Sequence, residues 1–385
     1  MKKITAGIIG IGFIGRGHVE ALRRLGYIDI AIACRGGEEE AKAKADELCI
    51  DKCFGNYGEL IADPDIDVVH ICTPNSQHYS QAKAALLAGK HVFCEKPLTV
   101  TAEQAKDLVD IADEKNLVAA VHFNKRFYPL IYQAKAMFES GEIGEVLAIN
   151  GSYNQDWLLY ETDYNWIVES KYSGHSRVVD DLGSHWFDLT KFITGVKIKK
   201  VFADYATFFP TRKKPSKPVE TFAGKMVDLD DVVDVEVTTE DYAGVLLRYD
   251  NGARGSFTTS QSLPGRKNRC YFEIFGTKKS LFWDEEKPNE LWIGSREEGN
   301  MLIMKDPSIL DESAVEFSSY PGGHNEGFND TSKQFFGKFY EYILNDSKGK
   351  GEKESFPTFK DGYRQALICE KIFESQKKEQ WVDVD

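Results

Sequence analysis

The residues that most clearly point to chemistry are three glycines near the start of the chain, in the stretch GIGFIG at 10–15. They follow an apolar run, residues 4–11, which is too short to span a membrane and suits a strand buried on both faces. Gly10 would permit a tight turn, Gly12 would leave the backbone open to a pyrophosphate, and Gly15 would let the next helix pack closely. We therefore predict a dinucleotide site, rather than an ordinary glycine turn, at Gly10, Gly12, Phe13, Ile14 and Gly15.

The end of the second predicted strand, residues 28–34, indicates which dinucleotide to expect. An Asp or Glu at that point commonly binds the ribose 2′-hydroxyl of NAD, whereas an Arg can hold the 2′-phosphate of NADP. This chain has Arg35, followed by two glycines and three glutamates. Glutamates facing the phosphate would oppose NADP, and Arg35 could instead face solvent or stack on the adenine. The expected cofactor is NAD(P), with NADP favoured.

Strands and helices alternate up to about residue 122, which predicts a doubly wound α/β domain. The predicted helices are 38–48, 57–62, 79–88 and 101–115, and the later strands are 67–72, 90–94 and 117–121. Ligands bind such sheets beyond the carboxyl ends of the strands. Two loops at that edge are therefore candidates for cofactor contact. They contain Thr73, Pro74, Asn75 and His78 after one strand, and Glu95 and Lys96 after the next.

The pattern changes after about residue 145, where alternating segments predict an α+β domain built on a large, mostly antiparallel sheet. The predicted strands are 146–155, 197–208, 232–239, 243–250, 252–262, 269–275 and 279–283. Helices are predicted at 181–194 and 361–376, with a short strand at 381–382, and the proline-containing stretch 210–222 is predicted to be a loop. The expected division is a Rossmann domain at 1–122 and a second domain at 123–385, with helix 361–376 a candidate to pack back on the first.

The amino-acid composition argues against a nucleic-acid-binding or membrane-spanning protein. The chain has 385 residues, 42% of them hydrophobic, and a formal net charge of -13. Because the chain is acidic and has no basic run, nucleic acid is not an expected partner. No apolar stretch suggests a membrane span, and the seven cysteines are scattered without a CxxC motif. This cysteine usage fits a reducing cytoplasm.

The chain resembles the Gfo/Idh/MocA oxidoreductases in three motifs and in their order. They are the glycine turn at 10–15, the tripeptide Glu95-Lys96-Pro97, and the stretch 181–188, which contains Asp181 and His185. This is the glucose–fructose oxidoreductase and inositol dehydrogenase family, and the resemblance covers essentially the whole chain. It implies hydride transfer between a nicotinamide and a carbinol carbon of a sugar, polyol or related hydroxy compound. It also implies a cis Lys96–Pro97 bond and a homodimer or homotetramer formed through the uncovered sheet face.

The resemblance further implies that Lys96, Asp181 and His185 manage the substrate proton. Physical chemistry agrees, because the cofactor supplies the hydride chemistry while the protein must position the substrate and move a proton at its oxygen. Asp181 and His185 are four residues apart, so on a helix they share one face. Which of Lys96 and His185 transfers the proton stays open. Asp181 could instead cap the helix, and Asp180 could take its place.

Substrate contacts are predicted from amide, carboxylate, cationic and indole side chains that suit a hydroxyl-rich ligand. These candidates are Gln155, Asp156, Trp157, Trp166, Arg177 and His324. The aromatic members could instead belong to the core or to an interface. A metal set of Asp181, His185 and His324 is disfavoured because Lys96 would lie beside the cation, so no metal is expected.

Two other functions share this fold. A glycosidase that retains NAD for transient oxidation would hold its cofactor through gel filtration without net turnover. A non-catalytic protein that senses the cofactor would be expected to lack Lys96 or His185, and both residues are present.

Overall fold

The computed structural model describes residues 3–216 and 231–384. Its first sheet has six parallel strands among the described residues, in the order β3-β2-β1-β4-β5-β6. The strands are β1 (Ile4–Ile9), β2 (Ile28–Ala33), β3 (Lys52–Phe54), β4 (Val68–Ile71), β5 (His91–Cys94) and β6 (Ala119–Val121). The helices between them are α1 (Phe13–Leu25), α2 (Glu38–Glu47), α3 (Tyr57–Ala62), α4 (Asn75–Leu87) and α5 (Ala102–Glu114). This strand order is that of a doubly wound dinucleotide-binding fold, as predicted.

The second sheet has nine strands among the described residues, in the order β16-β15-β14-β13-β7-β12-β11-β8-β17. The strands are β7 (Val146–Asn154), β8 (Ile198–Ala206), β11 (Tyr242–Tyr249), β12 (Arg254–Ser260), β13 (Arg269–Gly276), β14 (Lys279–Asp284), β15 (Glu290–Ser295), β16 (Met301–Met304) and β17 (Val382–Asp383). Only β12 and β7 pair in parallel within this described sheet; the other neighbours are antiparallel. The predicted α+β architecture is confirmed.

Six further α-helices follow β6 in the described residues. They are α6 (Pro129–Glu139), α7 (Ser170–Ser173), α8 (Ser184–Thr194), α9 (Glu312–Val315), α10 (Phe328–Leu344) and α11 (Phe359–Lys378). Of these, α6, α8 and α11 pack on the large sheet and α10 packs on the first domain. Helix α10 contributes Phe335, Phe336 and Phe339 to the same core as β1. Helix α11 contacts both α5 and β8, so the C-terminal part of the chain packs against both sheets.

Several predicted elements need correction. Residues 211–215 form strand β9 (Thr211–Pro215), which pairs with β10 (Val232–Glu236), so this part of the predicted loop is wrong. The prolines mislead because Pro215 lies at the end of the strand, where its missing N–H costs little. The rest of the predicted loop, 217–222, lies outside the described residues. Helices α6 and α10 and strands β3, β15 and β16 were not predicted, and α4 begins at Asn75 instead of 79.

Two further observations bear on the expected environment. Within the described residues, no helix combines the length and the apolar character needed to cross a membrane. The seven cysteines are all free thiols, and five of them are buried.

Candidate active site

The glycine turn between β1 and α1 fits a bound pyrophosphate. Gly10 has a φ of +92°, and a Cβ on Gly15 would lie 2.1 Å from the Gly10 carbonyl oxygen. A Cβ on Gly12, in contrast, would meet no atom within 4 Å. Helix α1 starts at Phe13 with Gly12 as its N-cap and no side-chain cap. The open side of Gly12 and the uncapped N–H groups of α1 therefore suit an anion, so the predicted pyrophosphate site stays a prediction that the geometry supports.

A cleft of about 800 Å³ runs from this turn to the second domain. Its first part is lined by most of the predicted cofactor residues: Gly10, Gly12, Phe13, Ile14, Arg35, Thr73, Pro74, Asn75, His78, Glu95 and Lys96. Gly15 does not line the cleft but lies directly behind Gly10, where only a residue without a side chain fits. The residues present thus suit a dinucleotide, whose nicotinamide would supply the hydride chemistry when bound.

Lys96 and Asp181 meet in the middle of the cleft, one from each domain. The Lys96 Nζ forms an ion pair with Asp181 Oδ1 and also donates to the Asp181 carbonyl oxygen at 3.1 Å. The second carboxylate oxygen of Asp181 accepts a hydrogen bond of 2.7 Å from the Gln261 side chain. Both side chains of the pair are largely buried, with 18% and 17% exposure. The Lys96–Pro97 bond is cis, as predicted.

Asp181 lies in an irregular turn and not on the regular helix that the four-residue spacing suggests. Residues Val179–Gly183 form a π-helical turn that leads directly into α8. Such insertions widen a helix locally and are frequent at functional sites. The turn still presents Asp181 and, one turn later, His185 to the same cleft. The predicted helix over 181–194 is therefore corrected to a π turn followed by α8.

His185 is buried and carries no charge at neutral pH. Burial lowers its pKa well below the usual value, and the nearby Lys96 and Lys125 lower it further. Its ring packs near Phe123 and Tyr153, with centroid distances of 5.7 and 6.3 Å. Among the described residues, none hydrogen-bonds to its Nδ1 atom. A neutral imidazole in this position can accept a proton from a substrate hydroxyl.

Glu95 was predicted to contact the cofactor, but its carboxylate is engaged inside the protein. Its Oε1 atom accepts hydrogen bonds from His18 at 2.8 Å and from His122 at 2.5 Å. Burial opposes the charge, yet these two histidines hold the pKa of Glu95 well below its usual range. The network continues from His18 to His70, and from His70 to the Tyr340 hydroxyl at 2.7 Å. Glu95 still lines the cleft, so its contact with the cofactor stays a prediction, and its Oε1 atom is anchored by two histidines beside Lys96.

The three side chains His18, Glu95 and His122 are close enough to be considered as metal ligands. Their ligand atoms already form hydrogen bonds with one another, which accounts for the arrangement without an ion. His78 is also held by the protein, since its ring nitrogens lie 2.8 Å from the Pro97 carbonyl oxygen and 2.7 Å from that of Thr73. It joins the two loops that the sequence identified at the edge of the first sheet.

The second part of the cleft is lined by Gln155, Trp157 and Trp166, as the prediction of a substrate region requires. The Trp157 indole donates to Gln155 Oε1 at 2.7 Å, and the Gln155 amide donates to Asn268 at 2.7 Å. The indole and amide groups of this wall are thus held in fixed orientations before any ligand binds.

Three predicted substrate residues lie outside the cleft lining and are corrected. Asp156 is absent from the lining and accepts hydrogen bonds from Lys267 at 2.6 Å and from the Gly265 N–H at 3.0 Å. Arg177 is fully buried and donates to Asp241 and to the Glu240 carbonyl oxygen. His324 is exposed in the loop before α10.

The structure also brings residues to the cleft that the sequence did not single out. They are Asn124, Lys125, Tyr153, Asn165, Lys267 and Asn268. Lys125 forms a buried ion pair with Glu285, and its ammonium lies 4.5 Å from the centre of the Tyr153 ring. Because Asn124 and Lys125 follow β6, the rule that ligands bind beyond strand ends could have found them.

Two family models match this chain. One is described as an oxidoreductase family with an NAD-binding Rossmann fold and matches residues 4–123, and the other, a GFO/IDH/MocA C-terminal domain, matches residues 131–282. The chain belongs to this oxidoreductase family. The resemblance drawn from the three sequence motifs is confirmed.

Members of the family with named activities are similar over long stretches. The levoglucosan dehydrogenase of Pseudarthrobacter phenanthrenivorans is 31% identical, and the alignment covers 100% of this chain and 99% of that protein. The myo-inositol 2-dehydrogenase of Thermotoga maritima is 28% identical over 72% of this chain and 74% of its own length. A solved structure of levoglucosan dehydrogenase with NADH and levoglucosan has a TM-score of 0.86 and 30% identity, and covers all of both chains.

Replacing Gly12 or Gly15 by alanine should separate cofactor binding from folding. Gly12→Ala has room in the free protein, so its melting temperature should stay near wild type while cofactor affinity falls by about tenfold or more. Gly15→Ala would push a methyl group into the Gly10 carbonyl and should lower the melting temperature. Thermal melts and nicotinamide fluorescence titrations check both expectations. Equal cofactor affinity in Gly12→Ala and wild type would contradict the assigned pyrophosphate site.

The lowered pKa of His185 should appear in the pH dependence of stability. Below a pH of about 6.5 the unfolded chain gains a proton at this residue while the folded protein does not, so acidification lowers the free energy of unfolding. Between pH 7 and 5.5 this loss should be about 1 kcal/mol smaller in His185→Gln than in wild type. Urea denaturation at both pH values measures the difference. The matched control is the exposed His175→Gln, and an identical loss in both variants would refute the prediction.

Proposed function

We propose that this protein is an NAD(P)-dependent dehydrogenase whose substrate is a sugar, a cyclic polyol or a related hydroxy compound. The observation that carries the proposal is the position of three side chains, Lys96, Asp181 and His185. They lie in one cleft, between the glycine turn of the first domain and the Trp157 wall of the second. Proton-handling groups thus stand between a dinucleotide site and a surface suited to carbohydrate rings.

The proposed reaction converts a secondary alcohol and the oxidised cofactor into a ketone or lactone, the reduced cofactor and a proton. The neutral His185 ring can accept the hydroxyl proton, and Lys96 can donate a hydrogen bond to the oxygen as its C=O bond forms. Asp181 keeps the Lys96 ammonium at this point of the cleft through their ion pair.

The relatives support this function over the two alternatives. The named family members described above act on levoglucosan and on myo-inositol, which are cyclic compounds with several hydroxyl groups. Neither name describes a glycosidase or a non-catalytic sensor. The direct test is an absorbance assay of NAD and NADP reduction with a panel of aldoses, anhydro sugars, inositols and deoxy sugars. Reduction with none of them, at high enzyme concentration, would count against the proposal.

We further propose that the cofactor site accepts the 2′-phosphate of NADP. Arg35 and Lys44 line the cleft beyond the end of β2, where their charges suit a phosphate. Glu40 lines the same end, and its carboxylate lies over Gly36. That carboxylate would repel the phosphate but could accept hydrogen bonds from the ribose hydroxyls of NAD. The preference for NADP therefore depends on Arg35 and Lys44 outweighing Glu40.

We also propose a cytoplasmic homodimer or homotetramer. Exposed apolar side chains lie on the side of the large sheet opposite its helices. They include Leu246 on β11 and Leu302 and Met304 on β16. A second copy of the chain would remove this apolar surface from water.

Removing Lys96 and His185 should test their shared role. Lys96→Ala and His185→Ala are each expected to lower kcat by roughly 10²–10⁴-fold, with little change in cofactor affinity. Because both act at one oxygen and one proton, the double variant should lose scarcely more than the worse single variant. Steady-state kinetics measure the losses, and thermal melts confirm folding. The matched controls are the exposed Lys106→Ala and His175→Ala, and near-wild-type kcat in the folded site variants would refute the assignment.

Changing Arg35 and Glu40 should test the cofactor preference. Arg35→Ala removes a charge-assisted contact that contributes about 1.5–3 kcal/mol, so NADP affinity should fall roughly tenfold or more while NAD affinity stays nearly unchanged. Glu40→Gln removes the opposing charge and should strengthen NADP binding. Isothermal titration with both cofactors measures these changes. Equal losses for NAD and NADP in Arg35→Ala would show that the arginine does not select the phosphate.

A further inference from the structure

The wall of the cleft that carries Trp157 has little regular structure of its own. Residues 155–165 connect the end of β7 to a 3-10 turn at Trp166–Val168, with neither helix nor strand between them. This segment nevertheless supplies three cleft-lining side chains, Gln155, Trp157 and Asn165, and it leads directly to a fourth, Trp166. The surrounding structure must therefore fix its backbone, and the contacts that do so determine the shape of the proposed substrate region.

Arg212 on β9 makes three of these contacts with one side chain. Its side chain is fully buried, and it donates to three carbonyl oxygens of the segment: Leu158 at 2.9 Å, Tyr160 at 2.9 Å and Asp163 at 3.1 Å. Other bonds hold the beginning and the middle of the segment. The Gln155 N–H donates to the Ser260 carbonyl at 2.8 Å, the Leu158 N–H donates to the Gln261 carbonyl at 3.0 Å, and the Glu161 carbonyl accepts from the Lys213 N–H at 2.8 Å. The Ser262 hydroxyl also donates to the Leu158 carbonyl at 2.9 Å. One guanidinium thus holds the segment at three points along its length.

Asp241 fixes the position of that guanidinium. Its Oδ1 atom accepts from Arg212 at 2.9 Å and also from Arg177. Its Oδ2 atom accepts from the N–H groups of Phe208 and Phe209, at 2.8 and 2.9 Å. Both arginines and Asp241 are completely buried. Asp241 is thus fixed by the backbone on one side and holds the Arg212 fork on the other.

The geometry of these contacts requires an arginine. A guanidinium offers five N–H donors in a rigid planar fork, whereas a lysine ammonium is a single point at the end of a flexible chain. Arg212 uses one terminal nitrogen for Tyr160 and Asp163 and the other for Leu158 and Asp241. A lysine at 212 would keep the positive charge beside Asp241 but could not reach both sets of acceptors.

From these contacts we propose that Arg212, held by Asp241, is a positioning residue that sets the substrate wall of the cleft. It touches neither the proposed substrate nor the cofactor site, and it acts by fixing the backbone that carries Trp157 and Trp166. The substrate part of this inference depends on the proposed function. The prediction that Arg212 orders residues 155–165 is independent of it.

Arg212→Lys tests the proposal with two separate measurements. Hydrogen exchange of the Leu158 and Asp163 amides, both hydrogen-bonded in the structure, should become about tenfold faster or more, while amides of β1 stay protected. In steady-state assays KM for the substrate should rise about tenfold or more, with kcat within about threefold of wild type. The affinity for NADH should stay within about twofold, since Arg212 is remote from the glycine turn. Arg254→Lys, an exposed arginine on β12, is the matched control.

Unchanged exchange at Leu158 and Asp163 in a folded Arg212→Lys would overturn the proposal. An equal loss of protection in β1 would do the same, because it would indicate general destabilisation. If Arg212→Lys does not fold, Asp241→Asn takes its place, because it weakens the hold on the Arg212 guanidinium. It should give about threefold faster exchange at Leu158; no change there would also overturn the proposal. If wild-type protein oxidises no hydroxy compound, the proposed function fails, whereas the exchange data still decide the role of Arg212.

Discussion

The ion pair between Lys96 and Asp181 is the contact on which the arrangement of the site depends, because it joins the two domains inside the cleft. Lys96 reaches it from the turn after β5, and Asp181 reaches it from the π turn before α8. The four-residue spacing would place Asp181 and His185 on one face of a regular helix, and the π turn keeps both side chains at the cleft.

The position of Lys96 depends in turn on the buried network around Glu95. A carboxylate removed from water is costly unless hydrogen bonds and nearby positive charge compensate it. Here His18 from α1, His122 after β6 and, through His70, Tyr340 from α10 surround it. The residue next to Lys96 is therefore fixed by α1, β4 and the end of β6 in the first sheet, and by α10 from the C-terminal part of the chain. Because His18 belongs to the helix that begins at the glycine turn, the same network also fixes the phosphate site relative to Lys96.

The sequence predicted those parts of the protein that depend on local pattern. The order of strands and helices, the glycine turn and the Lys96, Asp181 and His185 set follow from periodicity, spacing and a family resemblance. The sequence could not show that Arg177 faces Asp241, because Asp241 lies more than sixty residues away and pairs with it only after β8 and β11 join. It could not show that Glu95 faces inward for the same reason. Strand β9 was not predicted because prolines and lysines obscure the alternation of apolar and polar residues that is typical of a strand. Its one buried residue, Arg212, is the one that holds the segment with Trp157.

Buried ion pairs support two parts of the proposed substrate region. Lys125, which itself lines the cleft, pairs with Glu285 and lies 4.5 Å from the centre of the Tyr153 ring, and Arg212 and Asp241 lie behind the segment with Trp157. Replacing such pairs by apolar residues often leaves stability unchanged or improves it, so folding free energy does not explain their presence. A buried ion pair does fix the positions of its two side chains, because separating them would leave each charge buried without a partner. The indole and amide groups of the cleft are therefore oriented before a ligand binds, so less side-chain entropy is lost on binding. The same fixed surface would keep a substrate carbon aligned with the proton-handling groups.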